Sequence, residues 1–255
     1  MEAMLAAKIK ALSFDFWDTI VADNSDEERR RAQGLRSKKN ERRFLTFEAL
    51  NRQEKIDRDV VDLAWNIGDA AFSKAWHDQY VTWTVRERLD VILAGLGRSL
   101  PDEALSDLIQ QIEVMEVEIP PDLIEGVREA LAELHYRYRL CVVSDAIVTP
   151  GKQLRRLFEK HDIAQYFDAF AFSDEVGRSK PHPRMFETAA KSVGVELNEM
   201  VHIGDRQHND VAGSQAVGMK AILFVARRTI DQQNTTADAI CESASDLPRI
   251  IGGLR

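Results

Sequence analysis

Several features that would mark a membrane, disulfide-stapled or nucleic-acid-binding protein are scarce in this sequence. No apolar run approaches the roughly 18–20 residues needed to cross a bilayer. Only two cysteines occur, Cys141 and Cys241, and neither belongs to a C-x-x-C pair. That spacing carries no metal or redox motif and favours a reducing compartment, although it leaves a disulfide between the two open. Positive charge is in deficit: 34 Lys and Arg stand against 42 Asp and Glu, for a formal net charge of -8. Binding a phosphate backbone requires clustered positive charge, so nucleic acid is not an expected partner. Met1 to Leu5 lacks the apolar stretch of a signal peptide. The expectation is a cytoplasmic protein with no membrane partner.

The rest of the composition suits a globular fold. With 255 residues, 44% of them hydrophobic, the chain can bury a substantial core without staples. Short apolar runs at Lys10–Asp15, Leu140–Ser144, Ala169–Ser173, Met200–Ile203 and Lys220–Val225 read as buried strands. Between them, Leu123–Leu134, Gln153–Lys160, Met185–Ser192 and Asp210–Val217 carry helical patterns, the first with Asp122 as its expected N-cap. Alternating strand and helix implies an α/β fold, a parallel sheet covered on both faces. Residues 22–118 contain no strand-like run and repeat apolar residues at helical spacing. They read as an all-helical domain inserted after the first strand, with residues 1–21 and 119–255 forming the core.

In an open parallel sheet, ligands bind in the crevice outside the carboxyl ends of the strands. Asp15, Ser144, Lys180 and Asp205 fall in loops at such ends. Four short motifs surround them. Phe14-Asp15-Phe16-Trp17-Asp18-Thr19 resembles the first motif of haloacid dehalogenase-like hydrolases. Val142-Val143-Ser144 resembles the second, Lys180-Pro181-His182-Pro183 with Phe186 the third, and Ile203-Gly204-Asp205 with Asn209-Asp210 the fourth. Their shared order makes the resemblance specific, and it covers the first strand and most of residues 120–226.

The resemblance implies a Rossmann-like three-layer core with a helical cap. It also implies a hydrolase that uses Asp15 as nucleophile, Ser144 as a hydrogen-bond donor to a phosphate oxygen, and Lys180 as a charge-neutralising group. Mg²⁺ would be held by Asp15, Asp205 and the backbone carbonyl of Trp17, since hard oxygen donors suit that ion. The partner would be a small anionic substrate. Oligomeric state is left open.

One position departs from the phosphatase pattern, which places a second Asp two residues after the nucleophile as acid and base. Trp17 stands there, and an indole cannot perform that task. Three readings follow. The first is a Mg²⁺-dependent phosphohydrolase whose leaving group needs no proton, or whose acid is supplied by Asp18 or His77. The second is a 2-haloacid dehalogenase-type enzyme, a branch with an aromatic residue at this place and no metal. The third is a binding or regulatory protein that kept the fold and lost the reaction.

The insert raises two further questions. Arg29, Arg30, Arg31, Arg36, Lys38, Lys39, Arg42 and Arg43 form either a solvated helix face or a positive rim that steers an anionic substrate. Trp65, Trp76, Tyr80 and Trp83 form either the core of the helical domain or the wall of a substrate chamber. Residues 22–25 and 119–121 are the expected hinges.

Overall fold

The computed structural model describes residues 8–254; Met1 to Leu5, read above for a leader, lie outside the described residues. Six parallel strands form one sheet in the order β3-β2-β1-β4-β5-β6. These are β1 (Ala11–Phe14), β2 (Arg139–Ser144), β3 (Ala169–Phe172), β4 (Met200–Gly204), β5 (Lys220–Phe224) and β6 (Ala239–Cys241). The first five coincide with the apolar runs. The central strands β1 and β4 are buried along their whole length, as strands covered on both faces must be. The chain reverses its direction of growth between β1 and β4, which pair in parallel with Phe14 beside Ile203. That reversal opens a crevice at the strands' carboxyl ends.

Six helices make up the insert that follows β1: α1 (Asp26–Ala32), α2 (Lys38–Gln53), α3 (Arg58–Gln79), α4 (Val85–Gly95), α5 (Asp102–Glu113) and α6 (Met115–Glu118). They enclose their own apolar cluster around Leu50, Trp65, Leu89 and Leu108. Helix α4 starts cleanly because Thr84 and Glu87 form a reciprocal capping box. Gly68 lets α3 and α4 touch, since a Cβ there would lie 2.8 Å from Ile92. The two chain crossings at the edge of this insert are tied together. Val21 bridges Leu123, Ala22 N–H donates to the Asp122 carbonyl at 2.8 Å, and Arg29 reaches both Asp122 and the Pro120 carbonyl.

The helices covering the sheet are α7 (Val127–Leu134), α8 (Gly151–Lys160), α9 (Ser173–Val176), α10 (Pro183–Val193), α11 (Gly213–Ala216) and α12 (Leu247–Gly253). Helix α7 begins later than its apolar period suggests. Gly126 sits at φ 80 and caps it, whereas Asp122 is engaged by Arg29 instead of capping a helix. The Asp210 region also differs from expectation. Gln207–Ala212 winds as a π-helical turn before α11 begins, a wider winding found often at functional sites. Cys141 and Cys241 are separate buried thiols, and burial pushes the Cys241 thiol up to about 12. Among the described residues, no helix is long and apolar enough to cross a membrane.

Candidate active site

A cavity of about 460 Å³ lies between the carboxyl ends of the strands and the helical insert. Asp15, Asp145 and Asp205 line it from the loops after β1, β2 and β4, and Lys180 from the loop between α9 and α10. Asp15 is positioned by the sheet itself, because its backbone N–H extends the β1–β4 ladder by donating to the Ile203 carbonyl at 2.8 Å.

Lys180 is the electrostatic centre. Its Nζ lies 2.7 Å from Asp15 Oδ1 and 2.6 Å from Asp210 Oδ1, and the side chain is only 3% exposed. Burial disfavours its charge, but the Asp15, Asp210 and Asp145 carboxylates outweigh that and hold the ammonium above its ordinary range. Asp210 is over-determined in turn. Its Oδ1 meets His202 Nε2 at 3.2 Å, and its Oδ2 accepts the Arg206 N–H at 2.9 Å. Burial pushes this carboxyl up, yet Lys180 and the His202 hydrogen bond bring it well below the usual carboxylate range. Gly204 makes this approach possible, since a Cβ there would fall 2.3 Å from Asp210 Cγ.

His202 sits fully buried in β4, and burial lowers its pKa. Held neutral, it donates through Nε2–H to the Asp210 carboxylate and accepts at Nδ1 from Ser13 Oγ–H, 2.8 Å away. Ser13 and His202 are register partners across β1 and β4. A continuous chain of polar contacts therefore runs from the middle of the sheet to the cavity: Ser13, His202, Asp210, Lys180, Asp15.

Asp205 is the unbalanced member. Its Oδ2 is buried with no hydrogen-bond partner among the described residues. The Arg206 and Arg228 guanidinium groups come no nearer than 3.9 Å. Burial first, then the Asp210 and Asp15 charges, push its carboxyl up to about 8. Asp15, Asp205 and Asp210 each offer one ligand atom within 4.8 Å of the others. Buried carboxylates converging in this way repel one another unless a cation lies among them. A hard oxygen donor set with an unpaired buried oxygen fits Mg²⁺.

The remaining expected residues divide. Ser144 is fully buried with its Oγ unpartnered, while its neighbour Asp145 reaches the cavity. Asp145 Oδ1 accepts the Lys180 N–H at 2.9 Å, and burial pushes its carboxyl up to about 7. Trp17 lines the cavity and its Nε1 donates to the Asp145 carbonyl at 3.3 Å. Asp18, at φ 52, also lines the cavity, and its Oδ1 accepts the Asp23 N–H at 3.1 Å. His77 is not brought there; its ring packs against Trp76. The aromatic group in the insert splits between the two expectations: Trp65 is core, donating to Thr46 Oγ1 at 3.1 Å, and Trp76 lines the cavity.

The basic cluster splits as well. Arg29 ties the chain crossings, and Arg30 is buried with Nε donating to the Arg36 carbonyl. Lys38, Lys39 and Arg42 face the cavity. Asp145, His202 and Ser13 escaped the reading from sequence. Their signal was a polar residue inside or directly after an otherwise apolar strand.

Comparison with known proteins agrees with this geometry. A glyceraldehyde 3-phosphate phosphatase of Pyrococcus abyssi is 34% identical over 102 residues, which span 40% of this chain and 42% of the relative. The chain spans 39–59% of the length of six curated relatives that it matches. The crystal structure of a HAD phosphatase from Thermococcus onnurineus superposes with a TM-score of 0.62 at 22% identity, covering 97% of this chain and 100% of that one. An L-2-haloacid dehalogenase from Xanthobacter autotrophicus, with chloropropionic acid covalently bound, superposes at 0.57 with 18% identity, covering 97% and 100%. At such identities the two structures share the fold. A family model described as "Hydrolase: haloacid dehalogenase-like hydrolase" matches residues 9–218, and with it this chain is placed as a member of the haloacid dehalogenase-like hydrolases.

Proposed function

We propose that the protein is a Mg²⁺-dependent phosphohydrolase acting on a small phosphorylated metabolite, with Asp15 as nucleophile. The observation that carries this reading is the convergence of Asp15, Asp205 and Asp210 around an unpartnered buried Asp205 oxygen. Three acids beside one lysine leave an excess of negative charge, which an anionic substrate would otherwise meet as a barrier. Asp15, Asp205 and the Trp17 backbone carbonyl would hold Mg²⁺, which supplies charge neutralisation for the phosphoryl group.

Lys180 keeps the Asp15 carboxylate fixed, 2.7 Å from its ammonium. An Asp15 oxygen forms a bond to phosphorus as the bond from phosphorus to the leaving oxygen breaks, giving an acyl-phosphate. Water then attacks that phosphorus and returns the Asp15 carboxylate and free phosphate. Ser144 Oγ–H is the donor to a phosphate oxygen that the family resemblance implies; it has no partner among the described residues but is fully buried beside Asp145, which lines the cavity in its place. Proton transfer to the leaving oxygen cannot come from Trp17. Leaving groups that depart without a proton, such as acyl phosphates and anhydrides, suit the site best, and Asp18 is the nearest substitute acid in sequence. The helical insert acts as a cap that closes over the cavity and excludes water, pivoting on the crossings at 22–25 and 119–121. A cavity of about 460 Å³ favours a small metabolite.

The test is a paired assay with and without Mg²⁺ on acyl phosphates, ordinary phosphomonoesters and a 2-haloacid. The expected result is phosphate release that needs Mg²⁺ and falls by at least roughly 10³-fold in Asp15→Asn. Metal-independent halide release would instead establish the dehalogenase chemistry. Full activity in Asp15→Asn would overturn the nucleophile. No turnover and no specific ligand binding across the panel would favour the regulatory reading.

A further inference from the structure

Two guanidinium groups of the insert line the same cavity as Asp15 and lack the partners that buried cations require. Arg88, on α4, is 5% exposed and lies over the Phe72 ring, 3.5 Å from its centroid. Its Nη2 donates to the Ile147 carbonyl at 2.9 Å, its Nη1 stands 3.8 Å from Asp69, and its Nε is buried without a partner. Arg42, on α2, is barer still. Among the described residues its guanidinium makes no hydrogen bond or ion pair, its Nε is buried and unpartnered, and its nearest aromatic ring is Trp65 at 5.9 Å. Asp69 cannot serve all of them, since it is also 3.7 Å from Arg43.

Lys38 is the internal control. It too lines the cavity, but its ammonium is matched by Asp26 and Glu116, each at 2.8 Å. Two of the other acids nearby are committed as well: Glu27 accepts the Lys38 N–H at 3.0 Å, and Glu116 also accepts from Thr149 Oγ1. Lys38 therefore belongs to the architecture, whereas Arg42 and Arg88 point an unspent charge into the cavity. Burial, with the Arg42 charge added to it, holds Arg88 down at about 10. Two cations that repel each other beside apolar surface, Arg88 buried and Arg42 half-buried, are costly unless an anion joins them. The guanidinium fork matches carboxylate and phosphate oxygens in pairs of hydrogen bonds.

We infer that Arg42 and Arg88 clamp a second oxyanion of the substrate, a carboxylate or a further phosphate, at the end of the cavity away from Asp15. This deepens the phosphohydrolase reading and rests on it: the substrate carries its scissile phosphate at Asp15 and a second anionic group beneath the insert. The clamp also explains why the basic cluster contains two kinds of residue. Arg29 and Lys38 hold the insert in shape, and Arg42 selects what lies under it.

The experiment compares compounds that differ by one anionic group. Glycerol 3-phosphate against 3-phosphoglycerate tests a carboxylate, and fructose 6-phosphate against fructose 1,6-bisphosphate tests a second phosphate. The wild type should prefer the more anionic member of one pair, mainly through KM. Arg42→Gln and Arg88→Gln should each lower that preference by roughly 10–100-fold, the range for a lost charged hydrogen bond. Arg42→Lys should restore part of it. The pair showing the preference identifies the anion.

Calorimetric binding of the same compounds to Asp15→Asn protein separates this inference from the reaction. If the wild type hydrolyses none of them but the more anionic compounds bind Asp15→Asn protein more tightly, and the added Arg42→Gln change abolishes the difference, the clamp stands and the phosphohydrolase reading falls. Equal handling of both members of both pairs overturns the clamp. So does an Arg42→Gln effect that is the same for the more and the less anionic member.

Discussion

At the floor of the cavity Lys180 lies within 2.7 Å of two carboxylates, while at its roof Arg42 has no carboxylate partner among the described residues. The floor is built from strand ends, whose positions are set by backbone ladders and by the register of β1 against β4. Its charges are preorganised, and those of Asp15, Lys180 and Asp210 answer one another. The roof is built from helix surfaces, whose side chains meet through packing and whose charges are answered only in part. The division fits a reaction that is constant and a choice of substrate that varies: chemistry is anchored to the sheet, and recognition is left to the more adjustable helices.

Substitutions on the floor should therefore be costly in both stability and rate. Lys180→Met leaves Asp15 and Asp210 buried without their cation. Urea unfolding should show a loss of about 3–5 kcal/mol, and kcat/KM should fall by more than roughly 10³-fold. A stable, active variant would break the contrast with the roof. Gly204→Ala should act next most strongly. Its new methyl group collides with Asp210, 2.3 Å from Cγ; the expected cost is about 1–3 kcal/mol and a loss of roughly 10²-fold in kcat, with KM little changed.

Trp17→Asp would sharpen the comparison by returning the missing acid to the floor. Phosphomonoesters with basic leaving groups should gain roughly 10–100-fold in turnover, and acyl phosphates should gain little. Equal gains for both would show that protonation is not what the site lacks.

The smallest effect is expected at Asp145, and it depends on pH. Its carboxyl is pushed from 3.8 up to about 7 in the fold. The folded state thus holds a proton that the unfolded state has released, and the stability from it is present at low pH and lost as pH rises through about 7. Asp145→Asn keeps an oxygen for the Lys180 N–H and removes the buried charge. It should raise the melting temperature at pH 8 and change it little at pH 4. An equal gain at both pH values would mean that the charge is not the cause.

Much of this was legible in the sequence because strands buried on both faces write themselves as apolar runs, and β1 to β5 all did. Asp15, Lys180 and Asp205 were legible because each follows such a run. The three-residue β6 was not, since Ala239 is only partly buried and Ile240 is exposed, which leaves no clear run. Asp210 read as a helix start because its true partners, Lys180 and His202, are supplied by the fold from other segments. The same limit hid the split in the basic cluster. Arg29 and Arg42 look alike in sequence, and only Asp122, 93 positions from Arg29, separates their roles.

The polar chain from Ser13 through His202 and Asp210 to Lys180 gives Asp15, the proposed nucleophile, a second identity, as a reporter of the sheet. Any loosening of β1 from β4 parts Ser13 from His202, and the displacement passes along the chain to the lysine that holds Asp15. On heating, enzymatic activity and the ellipticity of the core should then vanish together. Inactivation and unfolding would be a single event seen by two instruments, with no temperature at which an intact but silent enzyme persists.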